Sequence, residues 1–447
     1  PQRVGTTRGA TGAYRVVPEM IDPPVGRRRI VRAGEAKQWW LTVHLPADAT
    51  PGRYRAPVTI HPEKAPALRL EWRLLVLPFP LTRPASRHWG TWLDGFPPLR
   101  YLSGPARRGR NTAAERARLS RAEILDFRDH GFDTALLPAN GVTVTENADG
   151  SFSYDLGTLP EQMEYLKLLD SDCAVTVLFE YLCRHIEYQY ADEPKDKHVA
   201  GTFSPKARKA IVGLVRFIRD EAKRRGWPTL YYYPIDEPGN SKTENRYAFA
   251  ENVLDMVHDV PGCRTAMTCT ANCVRRLGER RVDVRIYAHG HYTSEKVLKD
   301  AAKGFPFWYY SNGIFYAEST LASRGRTGFE FLRSGAETAT AWGFAATCGN
   351  PYNDFDGGHE DWNVLFPGAD GPIPTIYWEL CREGVDDARY ATTLGESTRR
   401  ARKDGNSVGA DRGAAVLTAL TDPAAAPVTD PRAFQRLRWR AAREILG

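Results

Sequence analysis

The segment TLYYYPIDEPGN, residues 229–240, places five strand-forming residues before a pair of acids that is flanked by prolines. The β-branched and aromatic side chains of residues 229–233 are typical of a buried strand, and the prolines and glycine after them mark its end. Asp236 and Glu237 therefore follow the carboxyl end of a predicted strand. Because Asp, Glu, Pro and Gly are also the residues that solvated turns favour, this segment alone leaves a catalytic and a structural interpretation open.

Strand-like and helix-like patterns alternate on both sides of this segment. The predicted strands begin at or near Arg87, Asp133, Cys173, Thr229, Arg264, Val282, Phe305 and Thr338. Amphipathic helical patterns separate most of these strands, for example over residues 114–130, 206–225, 246–260 and 294–302. Eight such alternations predict an α/β protein with the (β/α)8 TIM-barrel fold.

A doubly wound sheet is the alternative fold for alternating strands and helices, and it needs a glycine-rich turn after an early strand. The sequence contains neither GxGxxG nor GxxxxGK[ST], so we favour the barrel. In a barrel, the loops that follow the strands all open onto one face, where binding and catalysis concentrate. The Asp236–Glu237 pair is therefore predicted to lie at the mouth of the barrel, after the fourth strand.

Regions on either side of the barrel show other patterns. Residues 14–81 alternate between short strands and turns rich in Pro and Gly, which predicts an antiparallel β-sandwich, or part of one, over residues 1–82. The catalytic barrel is predicted over residues 83–400, with a long polar and aromatic loop after strand eight and an amphipathic closing helix. Residues 401–447 are predicted to form a C-terminal helical extension.

The composition restricts the class of protein. The 447-residue chain carries a formal charge of +7, spread over predicted helix faces, which argues against a nucleic-acid partner. No window approaches the roughly 20 apolar residues of a membrane span. We expect a soluble protein. Because the chain begins with Pro1 rather than Met and shows no signal peptide, the sequence leaves open whether the protein is cytoplasmic or secreted with its signal removed. The sequence leaves the oligomeric state open.

The seven cysteines do not indicate a metal or cofactor site. Their number is odd and they form no CxxC pair, which argues against a disulfide framework and against a zinc knuckle. Cys263, Cys269 and Cys273 are close enough in sequence to line a metal site, but buried free thiols are the favoured interpretation. We therefore expect neither a cofactor nor a metal.

Four segments resemble the motifs of one enzyme family. They are QWWLTVHLPADATPGRYRAPVTI, YYPIDEP, NPYNDFDG and LFPGADGPIPTIYWELCREGVDDARY, and they lie between about Lys37 and Leu394. The chain thereby resembles glycoside hydrolase family 123 and its wider superfamily of (β/α)8 glycosidases. This resemblance implies a β-sandwich before a catalytic barrel, and retaining exo-hydrolysis of β-linked N-acetylgalactosamine by substrate-assisted catalysis. It also implies that Asp236 and Glu237 carry the chemistry.

The residues themselves are consistent with this chemistry, independently of the resemblance to the family. Most retaining glycosidases use two carboxyl groups about 5 to 5.5 Å apart, one as acid and one as nucleophile. Here the predicted seventh strand ends FWYYSNG, and no carboxylate follows before Glu318. A 2-acetamido sugar removes the need for an enzyme nucleophile, because its own carbonyl oxygen can attack the anomeric carbon. Glu237 is then suited to be the acid, kept protonated by repulsion from its neighbour, and Asp236 to stabilise the acetamide nitrogen.

Aromatic and amide side chains near the ends of strands seven and eight are candidates to bind the sugar. Tyr310 and Asn312 end strand seven, and Trp342 on strand eight is suited to lie under the pyranose ring. Trp308 and Tyr309 are instead expected in the barrel core.

A further group of candidates has stronger structural alternatives. Glu180, Asp94 and Asn140 follow strands three, one and two, where a structural hydrogen bond is the more common role. His289, with His291, ends strand six, and a sugar contact or a loop role is favoured over a metal site because no third ligand is near. Asp356 lies in the NDFDGG segment, whose spacing does not fit an EF-hand, and it is a candidate for substrate binding.

The favoured function is therefore a β-N-acetylhexosaminidase that acts on terminal N-acetylgalactosamine, with a glycan or glycoside as its partner. One alternative is a hydrolase of the same superfamily with another glycan specificity, because barrel loops diverge while the frame persists. A second alternative is a catalytically silent carbohydrate-binding protein. The intact acid pair argues against it, since a binding protein has no need of two adjacent carboxylates that repel each other.

Overall fold

The structure is a computed structural model, and it describes residues 3–5, 15–17, 20–21, 30–32, 34–46, 48–93, 112–169, 174–194, 196–240, 244–288, 295–315, 320–346, 350–352, 362–368 and 371–447. Three of the predicted site residues, Asp94, His289 and Asp356, lie outside these ranges.

The described N-terminal residues form two antiparallel pairs of strands. Strand β1 (Arg3–Gly5) pairs with β2 (Arg15–Val17), and β3 (Gly52–Ile60) pairs with β4 (Leu68–Val76) along its full length. Residues 37–46, which belong to the segment predicted to alternate between strands and turns, form no strand. A β-sandwich is therefore not shown in the described part of the N-terminal region.

Eight parallel strands form a closed barrel after this region. They are β5 (His88–Trp92), β6 (Thr134–Pro138), β9 (Ala174–Leu178), β10 (Thr229–Tyr233), β11 (Arg264–Thr268), β12 (Val284–Ala288), β13 (Phe307–Tyr310) and β14 (Thr338–Ala341). They follow one another around the barrel in chain order, and β14 closes it by pairing with β5. All eight predicted strands are confirmed at their predicted positions.

Three shorter strand pairs among the described residues lie between or after the barrel strands in the chain. The hairpin of β7 (Thr143–Glu146) and β8 (Phe152–Asp155) is inserted between the second and third barrel strands. After the eighth barrel strand, β15 (Ala345–Ala346) pairs with β16 (Trp362–Asn363), and β17 (Leu365–Pro367) pairs with β18 (Pro372–Pro374). These short pairs lie in and beside the region that the sequence predicts as a long loop.

Twelve α-helices lie in the described residues. They are α1 (Ala113–Asp129), α2 (Leu159–Leu166), α3 (Glu180–Gln189), α4 (Pro205–Arg225), α5 (Glu244–His258), α6 (Ala271–Leu277), α7 (Glu295–Ala302), α8 (Thr320–Thr327), α9 (Phe329–Ser334), α10 (Ile376–Lys403), α11 (Ser407–Thr421) and α12 (Pro431–Leu446). The four predicted helical segments correspond to α1, α4, α5 and α7. Among the described residues, none of these helices has the length and apolarity that crossing a membrane requires.

Helix α4 shows how the sequence specifies these elements. Ser204 caps its first turn by accepting a hydrogen bond from the Ala207 N–H at 3.0 Å, and Gly226 ends it with a φ of 62°. The apolar residues between Ala207 and Ile218 recur at helical spacing and are buried in the core shared with the barrel strands. The polar face of α4 is left towards solvent.

Alternation along the barrel strands separates an inner core from an outer core. Tyr233, Ile286 and Trp308 are buried in a cluster inside the barrel. Tyr309, the neighbour of Trp308, belongs to the larger core between the strands and the helices. Both residues are core residues, as predicted.

The C-terminal helices α11 and α12 pack on α10. Asp387 of α10 accepts hydrogen bonds from Arg324 of α8 at 2.7 and 2.9 Å and also pairs with Arg438 of α12. Because Asp387 is fully buried, this ion network ties α12 to the helices around the barrel. Residue 400, the predicted domain boundary, falls within α10, and the division into domains stays a prediction.

Two ionisable residues, His88 and Asp133, form a hydrogen bond at the amino ends of the first two barrel strands. His88 Nδ1 lies 2.7 Å from Asp133 Oδ2, and the hydrogen bond to Asp133 raises the pKa of His88 above its usual value. Because the folded-state pKa is the higher one, this stabilisation is complete below the unfolded-state pKa and is lost as the pH rises through the folded-state pKa.

We therefore predict that the free energy of unfolding of the wild type decreases as the pH rises from about 6 to about 8, because the stabilisation from protonated His88 is lost. The His88→Gln protein should lack this part of the decrease. Urea unfolding of both proteins across this pH range measures it. Titration of other groups, such as His258, cancels in the comparison. Parallel pH profiles for the two proteins would contradict the prediction.

Candidate active site

Asp236 and Glu237 lie at the carboxyl end of the barrel, in the turn directly after β10. Asp236 is exposed and Glu237 is half-buried. The side chains around the pair come from the ends of three barrel strands and from two helices: Tyr233, Thr268, Tyr310, Glu180 and Arg246. The acid pair is thus placed where a (β/α)8 barrel concentrates its functional residues.

Two hydroxyl groups orient the Asp236 carboxylate. The Tyr233 hydroxyl donates to Oδ1 at 2.6 Å, and the Thr268 hydroxyl lies 3.0 Å from the same oxygen. The two hydroxyls are also 2.5 Å apart, so two protons are shared among three close oxygens. Both hydrogen bonds to the Asp236 carboxylate fall on Oδ1, and no described residue is hydrogen-bonded to Oδ2. The carboxylate is therefore held by one oxygen, and the other is able to accept a hydrogen bond from a ligand.

Glu237 has a φ of 39°, the only positive φ of a non-glycine residue in the described part of the chain. A left-handed conformation costs such a residue about 1–3 kcal/mol and persists only where its surroundings fix it. The Glu237 N–H donates to the Thr268 hydroxyl at 2.9 Å, and Pro238 restricts the residue from the other side. The backbone at Glu237 is thus held in an unfavourable conformation, as is common at functional sites.

Tyr310 lies beside the acid pair. Burial, together with the negative charges of Glu237 and Asp236, raises the pKa of Tyr310 to about 12, against the lowering effect of a hydrogen bond with Asn312. The phenol therefore keeps its proton at neutral pH and is available as a donor. The buried Oδ1 of Asn312 has no hydrogen-bond partner among the described residues, so it is an acceptor that a ligand can satisfy.

An aromatic wall adjoins these polar groups. The ring of Trp92, at the end of β5, meets Tyr233 edge-on at 6.1 Å and Tyr310 at 5.6 Å between centroids. Trp342 follows β14 directly and exposes 36% of its surface. Aromatic faces next to hydrogen-bonding groups match the amphipathic surface of a sugar ring.

The predicted site residues differ in their surroundings. Tyr310 and Asn312 adjoin the acid pair, whereas Asn140 is an exposed residue in the loop after β6 whose carbonyl accepts from the Thr158 N–H at 3.4 Å. The Glu180 carboxylate is already hydrogen-bonded within the protein, to Arg184 and to the Asp236 N–H. Sugar-binding roles for all of these residues, and for Trp342, stay predictions.

Four residues of the site do not appear among the sequence candidates: Trp92, Tyr233, Thr268 and Arg246. The first three are the last residues of barrel strands one, four and five, and they share the inward-facing parity of their strands. A count of alternate residues back from each predicted strand end would have found them. Arg246 comes from the first turn of α5, where sequence spacing gives no signal.

The cysteines near the site, Cys269 and Cys273, form no disulfide. Cys269 and Cys273 are buried, and burial raises the pKa of Cys273 to about 11. Within the described ranges, no group of three or more His, Cys, Asp or Glu side chains is arranged to hold a metal ion.

A cavity of about 170 Å³ lies at the opposite, amino end of the barrel. Its arginines are neutralised by acids: Arg83 pairs with Asp133 at 2.6 Å, and Arg389 pairs with Asp386 at 2.9 Å. Because its charges are paired within the protein, this cavity is a weaker candidate site than the barrel mouth.

Comparison with protein families identifies the family of the barrel region. The family model described as glycoside hydrolase 123, catalytic domain, matches residues 119–394, a range that includes Asp236 and Glu237. The chain belongs to glycoside hydrolase family 123. Its members are glycosidases, so the acid pair lies in the catalytic domain of a glycoside hydrolase. A search of curated proteins finds no match.

A solved structure of the same family shares the fold of this chain. A family 123 glycoside hydrolase from Clostridium perfringens, studied for glycolipid glycan hydrolysis, superposes with a TM-score of 0.61 at 13% identity, over 90% of this chain and 76% of that one. An endo-β1,6-glucanase has a TM-score of 0.44 at 10% identity, over 68% and 76% of the two chains. A family 5 lichenase from Caldicellulosiruptor sp. F32 has a TM-score of 0.41 at 12% identity, over 70% and 98%.

Proposed function

We propose that this protein is a retaining, exo-acting β-N-acetylhexosaminidase that releases terminal N-acetyl-β-D-galactosamine by substrate-assisted catalysis. The observation that carries the proposal is the fixed Asp236 carboxylate directly beside Glu237, with Oδ1 bonded to Tyr233 and Oδ2 bonded to no described residue. An acid for the leaving group and an acceptor for the acetamide N–H are the two groups that this chemistry needs.

The proposed first step breaks the glycosidic bond. Glu237 donates its proton to the glycosidic oxygen as that oxygen leaves the anomeric carbon. The acetamido carbonyl oxygen attacks the same carbon from the opposite face, and a cyclic oxazolinium ion forms. Asp236 accepts a hydrogen bond from the acetamide nitrogen and stabilises the positive charge that develops there.

The proposed second step returns the starting enzyme. Glu237, now a carboxylate, takes a proton from a water molecule that attacks the anomeric carbon. The ring opens and the acetamido group is restored. Two inversions at one carbon give net retention of configuration.

The state of Glu180 supports the absence of an enzyme nucleophile. This carboxylate is buried, and its two oxygens are hydrogen-bonded to Arg184 and to the Asp236 N–H. A carboxylate held in this way is poorly placed to attack a sugar. Asp356 lies outside the described residues and Glu318 does also, so they remain the alternative nucleophiles if the proposal fails.

We further propose which residues bind the terminal sugar. Tyr310 donates a hydrogen bond from its protonated phenol, Asn312 Oδ1 accepts one, and the ring of Trp342 supports the pyranose. We also propose, from the sequence, that hydroxyl groups of the sugar are bound around the barrel mouth by Asn140, Asp94, His289 and Asp356.

A panel of nitrophenyl glycosides tests the function. We expect release of nitrophenol from the β-N-acetylgalactosaminide, with slower hydrolysis of the β-N-acetylglucosaminide and little from β-galactoside or β-glucoside. The Asp236→Asn protein is the matched control for contaminating activity, because its loss of activity is expected on good and poor leaving groups alike. Hydrolysis of another glycoside would move the function to a different glycan specificity. Sugar binding without hydrolysis of any glycoside would indicate a silent binding protein.

A further inference from the structure

Glu180 and Arg246 bind the backbone on the two sides of the Asp236 α-carbon. Glu180 Oε2 accepts the Asp236 N–H at 2.9 Å, and Arg246 Nη2 donates to the Asp236 carbonyl at 2.5 Å. The two side chains also face each other, with Arg246 Nη1 3.7 Å from Glu180 Oε1. An acid from α3 and a base from α5 therefore hold the same residue of the turn after β10.

The peptide group between Asp236 and Glu237 is consequently held at both ends. Its carbonyl accepts from Arg246, and its N–H donates to Thr268 at 2.9 Å. The orientation of this peptide group defines φ of Glu237, which is 39°. Since the left-handed region is unfavourable for glutamate, the peptide group would rotate if one end were released.

The charges around Glu180 explain why this arrangement is rigid. Its Oε1 accepts from Arg184 Nε at 3.2 Å and from Nη2 at 3.1 Å, on the same helix. Glu180 is 8% exposed, and a carboxylate at this depth requires such partners. The hydrogen bond to Asp236 therefore comes from a side chain with little freedom to move.

We propose that Arg246 fixes the peptide group between Asp236 and Glu237, that Glu180 fixes the preceding peptide group and pairs with Arg246, and that these two positioning residues thereby direct the Glu237 carboxyl towards the leaving group. This inference rests on the proposed role of Glu237 as the acid. It replaces sugar contact as the role of Glu180.

The first test is structural and needs no activity. Crystal structures of wild type, Arg246→Met and Arg246→Lys give φ of Glu237 directly. We expect φ to leave the left-handed region in Arg246→Met, which keeps the side-chain length but cannot donate, and to stay there in Arg246→Lys. Arg208→Met is the matched control, because Arg208 donates to Asn252 of the same helix α5 at 2.6 Å and does not contact Asp236. An unchanged φ in Arg246→Met would overturn the proposal.

The second test separates positioning of the acid from general damage. Acid catalysis matters for poor leaving groups and little for dinitrophenol, which departs unprotonated. We expect kcat in Arg246→Met to fall on the order of 10²-fold for a phenyl glycoside, because small misplacements have effects of this size, and only a few-fold for the dinitrophenyl glycoside. Arg246→Lys should recover part of the loss, and Arg208→Met should match wild type.

Equal losses on both leaving groups would overturn the positioning role. If Arg246→Met does not fold, Glu180→Gln provides the same comparison, because its amide oxygen keeps the Asp236 N–H bond while the charge that attracts Arg246 is removed. We then expect a smaller loss with the same leaving-group dependence, and its absence would count against the proposal. If wild type hydrolyses no glycoside, the proposed function fails. The φ of Glu237 in the Arg246 variants still decides whether Arg246 fixes the peptide group between Asp236 and Glu237.

Discussion

Glu237→Gln is expected to keep its fold and to lose on the order of 10² to 10⁴ in kcat on substrates with poor leaving groups, the usual contribution of a general acid. Glutamine has the shape of glutamate and retains the backbone N–H that binds Thr268 at 2.9 Å, but it has no proton of suitable acidity to donate. Steady-state kinetics on phenyl and dinitrophenyl glycosides measures the effect, and thermal unfolding checks the fold. The dinitrophenyl substrate should be much less affected.

Glu251→Gln is the matched control for this substitution. Glu251 belongs to α5 and lies 3.7 Å from Arg281, away from the acid pair, so the same change of charge should leave kcat near the wild-type value. Wild-type activity of Glu237→Gln on the phenyl glycoside would remove Glu237 from the role of acid.

Asp236→Asn is expected to lower kcat on the order of 10²- to 10³-fold for 2-acetamido substrates, the size of effect seen when a preorganised electrostatic contact is lost. The isosteric amide retains an oxygen for the Tyr233 hydroxyl, 2.6 Å away, but it carries no negative charge to stabilise an oxazolinium-like nitrogen. Unlike the loss in Glu237→Gln, this loss should be similar for good and poor leaving groups. Loss on poor leaving groups alone would assign Asp236 to proton transfer instead.

The sequence predicts the barrel well because each of its strands is a short apolar run with a local pattern. The apolar run from Thr229 to Tyr233 is an example. The position of Asp236 and Glu237 at the barrel mouth could be predicted because the pair follows the end of this strand. The segment at residues 37–46 has a similar alternation but forms no strand. Alternation reports which side chains face together, whereas a strand also needs a partner for its backbone, and the local sequence does not supply that information.

The contacts that shape the site could not be predicted in the same way. Thr268 reaches Glu237 across 31 positions and Glu180 reaches Asp236 across 56, so these bonds depend on how neighbouring strands and helices are placed around the barrel. The left-handed conformation of Glu237 is imposed by those contacts and opposes the preference of glutamate. Local propensity is a poor guide where the surrounding structure overrides it.

Inhibition by the thiazoline analogue of N-acetylgalactosamine tests the central claim most directly. This compound resembles the cyclic transition state of substrate-assisted catalysis, so it should bind wild type on the order of 10²-fold or more tightly than free N-acetylgalactosamine, and Asp236→Asn should lose much of that advantage. The contrary result is hydrolysis of a 2-hydroxyl sugar at a comparable rate, with no inhibition by the thiazoline. The nucleophile would then have to come from the protein, with Glu318 and Asp356 as the candidates.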